Sequence, residues 1–308
     1  MVSKITIKAV TVALGLTLGL TACGSVSEVP AKAEARIQLE KAPNKVVVQD
    51  LALLDVLHSL NIPVSGVPDA RFPEHLSQYA QDFYVKTGSL FEPDAAVLTE
   101  LQPDLILLGR RAAKHQEAIA QIAPTVDLSF DQQNLIQSTH QIVRELAALY
   151  QRQEIAEPLL LQLRHSVEQL QVLTEQAGPA LVLLTTQGKM IAQGPDSRYA
   201  VLFNDYGVQP VAGLDFPEGK GVALSAEQIA ALNPEWIYVI DRDAGVNREG
   251  AVPTQELLKE AALRHVPAII EQRVVYLNPT NWYLLDGAGL STLQANIDQM
   301  IQALQQAN

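Results

Sequence analysis

The chain has 308 residues, of which 48% are hydrophobic, enough for one large domain or two of ordinary size. Its formal net charge of −12 argues against nucleic acid as a partner, because an acidic surface is repelled by the phosphate backbone. This charge does not exclude an anionic small molecule, since a local group of arginines can dominate one cleft.

The amino-terminal residues predict a targeting segment. Two lysines precede an apolar run over residues 9–20, which is too short for a comfortable membrane span. The sequence Leu20-Thr21-Ala22-Cys23 then resembles a bacterial lipobox, and Cys23 is the only cysteine of the chain, so disulfides and cysteine metal sites are excluded. We predict a lipoprotein signal peptide over residues 1–22, lipidation at Cys23 and a flexible tether over residues 23–42. An ordinary signal peptide with an incidental cysteine, or an uncleaved anchor, is the alternative.

The next part of the chain has the alternation of a parallel α/β fold. Residues 45–48 predict a strand, residues 50–60 a helix with leucines at helical spacing, and residues 62–67 a second strand. This order of strand, helix and strand is typical of a parallel sheet. Three further helices are predicted in this half: one that ends near Leu101, one over residues 112–122 and one over residues 132–150.

Residues 152–176 form the longest helix candidate, because they contain no glycine and carry an apolar stripe at helical spacing. Their single proline, Pro158, falls near the first turns, where proline is tolerated best. We predict that the segment 152–177 is the only connection between two lobes, which span residues 43–151 and 178–308. Such a helix would permit a small twist but no large hinge closure. The alternative is that it packs as an ordinary helix within one domain.

The second half of the chain repeats the alternation. Strands are predicted over residues 180–185 and 274–277, and helices over residues 199–206, over residues 225–232 and from Gly289 onward. Ser225 followed by Gln228 matches a capping box, which satisfies two free N–H groups at a helix start. Repetition on this scale favours duplicated lobes over a solenoid. The predicted fold class is therefore α/β, with two similar lobes, each a central β-sheet flanked by helices, joined by one long backbone helix.

One stretch occurs twice without a gap, over Leu101–Arg111 and Leu232–Arg242. Each copy begins Leu-x-Pro-acid, continues with a short apolar run and ends in arginine. The proline ends the preceding helix, and the apolar run predicts a buried strand. Because ligands of open α/β sheets bind beyond the carboxyl ends of the strands, we expect Arg111 and Arg242 to offer cations to one shared cleft. For Arg242, which lies between two aspartates, a structural ion pair is the alternative.

Two other segments carry candidate binding residues. A Gly-Pro turn before the helix at residues 199–206 would place Arg198 in its first turn, where the helix dipole disfavours a cation. That placement indicates that Arg198 has a role other than stabilising the helix. The alternative is that Arg198 is an ordinary surface residue. Trp282 and Tyr283 follow a strand and a proline turn, so we expect both rings to face the mouth of the cleft. Core packing is the alternative, more for Trp282 than for Tyr283.

No catalytic constellation is present in the sequence. It contains no phosphate-binding glycine loop, no nucleophile elbow and no Cys/His metal spacing, and its six histidines are scattered. We therefore predict that the chain is not an enzyme and carries no cofactor. A lipid-anchored enzyme on an α/β scaffold stays an alternative, as does an adhesion or scaffold lipoprotein, for which cleft arginines would be unnecessary.

Several motifs together resemble one family. They are Gly88–Pro93, Pro103–Ile106 with Arg111, Ile122–Thr125, Gly194–Arg198, Val239–Arg242 and Trp282–Leu284. In this order and spacing they resemble the periplasmic siderophore-binding lipoproteins of ABC iron importers, of the catecholate-binding type with the class III periplasmic-binding-protein fold. The resemblance covers nearly all of the chain after the tether. It implies a substrate-binding component that captures a ferric catecholate-type siderophore between its lobes and delivers it to the membrane permease.

The resemblance implies that Arg111, Arg198 and Arg242 contact the ligand. A ferric catecholate complex spreads negative charge over its oxygens, and arginine forks are suited to it. The repeat selects Arg111 over its neighbour Arg110, which is a less certain contact. Tyr283 matches a family tyrosine that can complete the coordination of iron.

The loop over residues 216–222 departs from the family, because it has no histidine where the family often has one. Glu218 could offer an oxygen to iron, and Lys220 could add a cation, so both are less certain contacts. We predict instead a hexadentate ligand that needs no donor from the protein. Family members pair an acidic residue on each lobe with permease arginines, and Glu92 and Glu218 are the candidates here.

The resemblance also implies a location and an assembly state. We predict a monomer in the periplasm or at the cell surface, held on a bacterial membrane through Cys23. Cobalamin or haem is the alternative ligand within the binding class. Cobalamin would not need three arginines, and haem would need an axial histidine or tyrosine.

Overall fold

The computed structural model describes residues 37, 39, 41–217 and 219–307 of the chain. The predicted signal peptide and the lipidation site Cys23 lie outside these residues, as do most of the predicted tether and Glu218. The described residues form one compact unit. Within them, no helix combines the length and the apolar character that crossing a membrane requires.

Strands and helices alternate along the described chain. The strands are β1 (Val46–Gln49), β2 (Gly66–Val67), β3 (Val85–Lys86), β4 (Leu105–Leu108), β5 (Thr125–Asp127), β6 (Ala180–Thr186), β7 (Lys189–Gln193), β8 (Val222–Leu224), β9 (Trp236–Asp241) and β10 (Val274–Leu277). The α-helices are α1 (Leu51–Ser59), α2 (Ala95–Leu101), α3 (Gln116–Ile119), α4 (Leu135–Tyr150), α5 (Gln153–Ala177), α6 (Val201–Asn204), α7 (Ala226–Leu232), α8 (Arg242–Gly245), α9 (Thr254–Leu257), α10 (Pro267–Ile270) and α11 (Leu290–Gln306). Short 3₁₀ segments lie at Glu74–Ala80, Ala113–His115 and Ala261–His265, and a π-helix at Thr280–Leu284.

These strands form two five-stranded sheets. The first has the order β3-β2-β1-β4-β5 and is parallel throughout. The second has the order β10-β9-β6-β7-β8, in which β10, β9 and β6 are parallel while β7 and β8 pair antiparallel. Strand β7 was not predicted from the sequence, and it follows a two-residue turn with positive φ at both Gln187 and Gly188. Such turns are usually marked by Asn-Gly or Asp-Gly, and Gln-Gly is a weaker signal.

The repeated stretch has the same structure in both sheets. The residue after its first leucine, Gln102 or Asn233, ends helix α2 or α7 in the left-handed conformation, with φ of 51° or 50°. The proline that follows prevents the helix from continuing. The apolar runs form β4 and β9, each parallel to the central strand β1 or β6. Arg111 and Arg242 therefore follow the carboxyl ends of matching strands, as predicted.

Helix α5 spans 25 residues and is about 37 Å long at the usual rise per residue. Its Pro158 lies in the second turn, and its apolar face packs against α4 and α11. Together with the two sheets and their flanking helices, this long helix confirms the predicted fold class. The proposed division into lobes at residues 151 and 178 stays a prediction.

A carboxylate from helix α1 caps the last helix, α11. The Asp55 side chain is fully buried and accepts hydrogen bonds from the backbone N–H groups of Ser291 at 3.3 Å and Thr292 at 2.8 Å. Gly289, at the N-cap position of α11, has no side chain to fill this role, and a Cβ there would lie 2.3 Å from an Asp55 oxygen. Asp55 thus satisfies N–H groups that a helix start leaves free, and its charge matches the positive end of the helix dipole.

Two local predictions have different outcomes. The capping box is confirmed, since the Ser225 hydroxyl accepts from the Gln228 N–H and the Gln228 side chain accepts from the Ser225 N–H.

The prediction that Arg198 lies in the first turn of a helix is wrong, because α6 begins only at Val201. Arg198 lies in a preceding turn, where the Ser197 hydroxyl accepts from the Tyr199 N–H at 3.1 Å and competes with helical bonding.

Candidate functional site

Arginine side chains from both sheets converge on the segment Tyr283–Asp286, between β10 and α11. Its carbonyl and carboxylate oxygens accept hydrogen bonds from Arg110, Arg111 and Arg198, and its tyrosine contacts Arg242. We call these four residues the arginine cluster. The three arginines predicted from the sequence, Arg111, Arg198 and Arg242, therefore lie close together. Arg110, the less certain candidate, lies with them.

Arg111 is the most enclosed member of the cluster, with 8% of its side chain exposed. It donates to the Leu284 carbonyl, the Tyr283 carbonyl and Oδ1 of Asp286, each at 2.9 Å. Arg110 is 48% exposed and donates to the other carboxylate oxygen, Oδ2, at 2.7 Å. A ligand that approaches the cluster thus meets Arg110 more readily than Arg111.

Arg198 reaches the same carboxylate from the turn before α6. Its guanidinium donates to the Tyr283 carbonyl at 2.9 Å and to Oδ1 of Asp286. It also lies over two aromatic rings, 4.8 Å from the centroid of Tyr283 and 5.1 Å from that of Tyr199. One carboxylate oxygen therefore accepts from two guanidinium groups, those of Arg111 and Arg198.

Arg242 also contacts Tyr283. Its Nε donates to the tyrosine hydroxyl at 2.7 Å, and its guanidinium lies 5.2 Å from the ring centroid. Its Nη1 contacts the hydroxyl of Thr186 at 3.2 Å and the carboxylate of Asp243 at 3.4 Å, and Asp243 also accepts from Arg248. The ion pair considered as an alternative for Arg242 is therefore present beside the tyrosine contact.

The electrostatics keep this cluster cationic. Burial is the main cause that lowers the pKa of Arg111 and of Arg198, and repulsion from neighbouring arginines acts in the same direction. A hydrogen bond to the hydroxyl of Tyr283 raises the pKa of Arg242. Because the ordinary pKa of arginine lies far above neutral pH, and the buried carboxylate of Asp50 opposes the downward shift of the pKa of Arg111, these groups stay charged at neutral pH.

Asp286 is the central residue that the sequence did not indicate. Only 8% of its side chain is exposed, and its backbone is left-handed with φ of 54°. Gly287 and Gly289, on its carboxyl side, have φ of 72° and 98°. An Asp-Gly pair has the composition of an ordinary surface turn, so its sequence gives no sign that three arginines reach it.

Trp282 does not face the mouth of a cleft, and that prediction is wrong. Its side chain is 0% exposed, and its ring packs against Tyr199 and Tyr206 with centroids 6.4 Å and 6.5 Å away. The π-helical turn directs adjacent side chains to different sides, so Tyr283 reaches the arginines while Trp282 enters the core. Core packing, the alternative considered for Trp282, is what the structure has.

The other candidate residues lie outside these contacts or outside the described chain. Glu92 is exposed in the turn Gly88–Pro93, where its N–H donates to the Ser89 hydroxyl at 3.1 Å. Lys220 is exposed, and its N–H donates to the Pro217 carbonyl at 2.9 Å. Their roles in docking and in ligand contact stay predictions.

The described residues contain no group of three or more His, Cys, Asp or Glu side chains placed to hold a metal ion. The Tyr283 hydroxyl already accepts a hydrogen bond from Arg242, which places a cation beside the oxygen that the family resemblance gives as a possible iron ligand. The predicted hexadentate ligand, which needs no donor from the protein, stays a prediction.

Residues 46–280 match the sequence pattern of a protein family described as periplasmic binding protein. The petrobactin-binding protein YclQ of Bacillus subtilis (strain 168) is 30% identical over 271 residues, which cover 87% of this chain and 84% of YclQ. The ferric-anguibactin-binding protein FatB of Vibrio anguillarum (strain ATCC 68554 / 775) is 27% identical over 273 residues, with the same coverage of the two chains.

Solved structures agree with these sequence matches. The crystal structure of YclQ superposes with a TM-score of 0.80 and covers 86% of this chain and 93% of that one. The periplasmic catecholate-siderophore binding protein VctP from Vibrio cholerae is 26% identical, with a TM-score of 0.78 and coverage of 87% of this chain and 95% of that one. Sequence and structure therefore indicate the same relatives over most of the chain.

Proposed function

The chain belongs to the periplasmic binding protein family, and on that premise we propose that it is the substrate-binding component of an ABC importer for a ferric siderophore. It would capture the Fe(III)–siderophore complex at the arginine cluster and deliver it to a membrane permease, without chemistry on the ligand. The similarity of this chain to YclQ and FatB, which are binding proteins for petrobactin and ferric anguibactin, supports this proposal.

The observation that carries the proposal is that Arg198 and Arg242 both contact the ring of Tyr283. Each guanidinium lies about 5 Å from the tyrosine ring, and Arg111 and Arg110 complete the cationic surface. A ferric catecholate-type complex combines negatively charged oxygens with aromatic rings. Guanidinium groups can donate hydrogen bonds to the oxygens, and the Tyr283 ring can pack against the rings of the ligand. The cluster therefore offers both kinds of contact.

Intrinsic fluorescence provides the test. Both tryptophans, Trp236 and Trp282, are buried, and Trp282 is the direct neighbour of Tyr283. A bound ferric complex absorbs near-ultraviolet and visible light, so we expect it to quench the emission. Titration with a panel of ferric siderophores should give a dissociation constant below about 1 μM for at least one of them. The iron-free siderophores serve as the matched control.

Cobalamin and haem belong in the same titration, because both are alternative ligands for a binding protein of this fold. We expect neither to bind as tightly as the preferred ferric siderophore. A panel in which cobalamin or haem binds below the micromolar range, while every ferric siderophore fails to bind, would reject the proposed function.

Delivery to the permease is the finer part of the proposal. We infer that Glu92, exposed in its turn, and Glu218 meet basic residues of the permease, one from each half of the chain. Charged pairs at such a contact mainly set the rate and the orientation of docking. The monomeric state predicted from the resemblance is compatible with this use of both halves.

We also propose that Cys23 carries a lipid that holds the protein on the outer side of a bacterial membrane. A cysteine after a short apolar run supports this, and lipid anchoring does not require a spanning helix. Expression with a labelled fatty acid should label the wild-type chain and leave Cys23→Ser unlabelled, with that variant shifted to the soluble fraction. Equal labelling of both chains would contradict lipidation at this residue.

A further inference from the structure

The arginine cluster contains its own counter-anion. Three positive charges lie close together, on Arg110, Arg111 and Arg198. The negatively charged carboxylate of Asp286 lies within hydrogen-bond distance of all three. Like charges at such short range repel one another, so the carboxylate stabilises the arrangement in the free protein. Asp286 thus offsets one of the three positive charges before a ligand binds.

The surrounding structure fixes Asp286 in place. Residues 281–290 are buried with the exception of Tyr283, which is half-buried. The N–H of Gly287 donates to the Asn281 carbonyl at 3.0 Å, and its own carbonyl accepts from the Asn296 side chain at 3.4 Å. These bonds hold the backbone beside Asp286 in place, and we expect the carboxylate to stay in the cluster when a ligand binds.

We propose that Asp286 sets the charge of the ligand that the site accepts, an inference that rests on the proposed siderophore function. A fixed negative charge repels each negative charge that the ligand brings, so its effect grows with the ligand's charge. The site would therefore prefer triply negative tris-catecholates less strongly than the arginines alone would, and ferric complexes of lower negative charge can compete for it. Mixed ligands, in which hydroxamate or another singly charged donor replaces a catecholate, form the chemical class that fits.

Simple charge counting defines suitable probes. Iron contributes three positive charges, each catecholate two negative charges and each hydroxamate one. On one synthetic hexadentate backbone, three catecholates give a triply negative ferric complex, and one catecholate with two hydroxamates gives a singly negative complex. With the screening of bulk water at separations of about 7 Å, the Asp286 charge should cost roughly two- to threefold in affinity for each ligand charge, and more where water is excluded.

The test compares wild type with Asp286→Asn, which keeps the side-chain shape and removes the charge. We expect the affinity for the triply negative complex to rise about tenfold or more and that for the singly negative complex about two- to threefold. The preference between the two complexes should therefore shift by about fivefold. Fluorescence quenching measures both affinities, and thermal unfolding shows whether the variant is folded.

Two variants control for other causes. Asp286→Glu keeps the charge and should keep the wild-type preference. Asp82→Asn changes the total charge equally at an exposed position that precedes β3, at the end of the sheet away from the arginines, and it should leave both affinities unchanged. Asp286→Ser provides a second neutral variant in case Asp286→Asn does not fold.

The outcomes separate the inference from the function on which it rests. A shift in preference towards the triply negative complex in a neutral variant, absent from both controls, supports the inference. Equal gains for the two complexes would overturn it, because Asp286 would then be a competitor that any ligand displaces. Failure of both neutral variants to fold would also overturn it, by assigning Asp286 to the core alone. If wild type binds no ferric complex at all, the proposed function itself fails.

Discussion

Replacing Arg198 by alanine should weaken binding of the preferred ferric siderophore by about 10- to 100-fold. A hydrogen bond from a charged group contributes roughly 1.5–3 kcal/mol, which corresponds to that range. Arg198 also stacks over Tyr283 and Tyr199, so the substitution removes the cation and uncovers two rings. Quenching titrations of the wild-type and variant proteins measure the loss directly.

Two further substitutions make this experiment specific. Arg198→Lys keeps the charge but loses the planar fork, and we expect a loss between those of wild type and Arg198→Ala. Arg144 is an exposed arginine paired with Glu157 on the helical surface, so Arg144→Ala should bind like wild type. Unchanged affinity in the alanine variants of Arg198, Arg111 and Arg242 alike would reject the arginine cluster as the binding site.

Replacing Asp55 by alanine should lower the free energy of unfolding by about 3 kcal/mol. The carboxylate accepts from two N–H groups at the start of α11, and its removal leaves the N–H of the buried Thr292 without this partner. For a domain of this size, a loss of that amount corresponds to a fall in Tm of roughly 6–12 °C. Thermal and denaturant unfolding, followed by circular dichroism, provide the measurement.

The controls for this prediction lie beside the same cap. Asp55→Asn keeps an acceptor oxygen without the charge, and we expect it to lose less than half as much stability. Ser59→Ala removes a hydroxyl that contacts Asp55 and Ser291 but leaves the cap intact, and it should cost no more than about 1 kcal/mol. A fall of less than about 1 kcal/mol for Asp55→Ala would show that the cap does not hold α11.

Much of the fold could be predicted because its signals are local. The Leu-x-Pro-acid start ends a helix through backbone geometry that involves only neighbouring residues, and the apolar run after it forms a buried strand in both sheets. The capping box at Ser225 is local in the same sense. The positions of Arg111 and Arg242 follow directly from these elements, because a residue after a parallel strand lies at the carboxyl edge of the sheet.

The parts that could not be predicted depend on distant contacts. Asp286 is far along the chain from Arg110, Arg111 and Arg198, and its own neighbourhood has the composition of a turn. Trp282 and Tyr283 are both aromatic, and only the π-helical turn decides which of them enters the core. The antiparallel β7 depends on a hairpin whose turn sequence is atypical.

Helix α5 has a consequence for how an empty protein differs from a loaded one. We expect a helix of about 37 Å, packed against α4 and α11, to resist the wide domain closure that marks the loaded state of many receptors. The loaded state would then be recognised at short range, by the surface that the bound ligand and the edges of the two sheets form together. A permease that recognises this composite surface would sense the cargo itself rather than a change in the shape of its carrier.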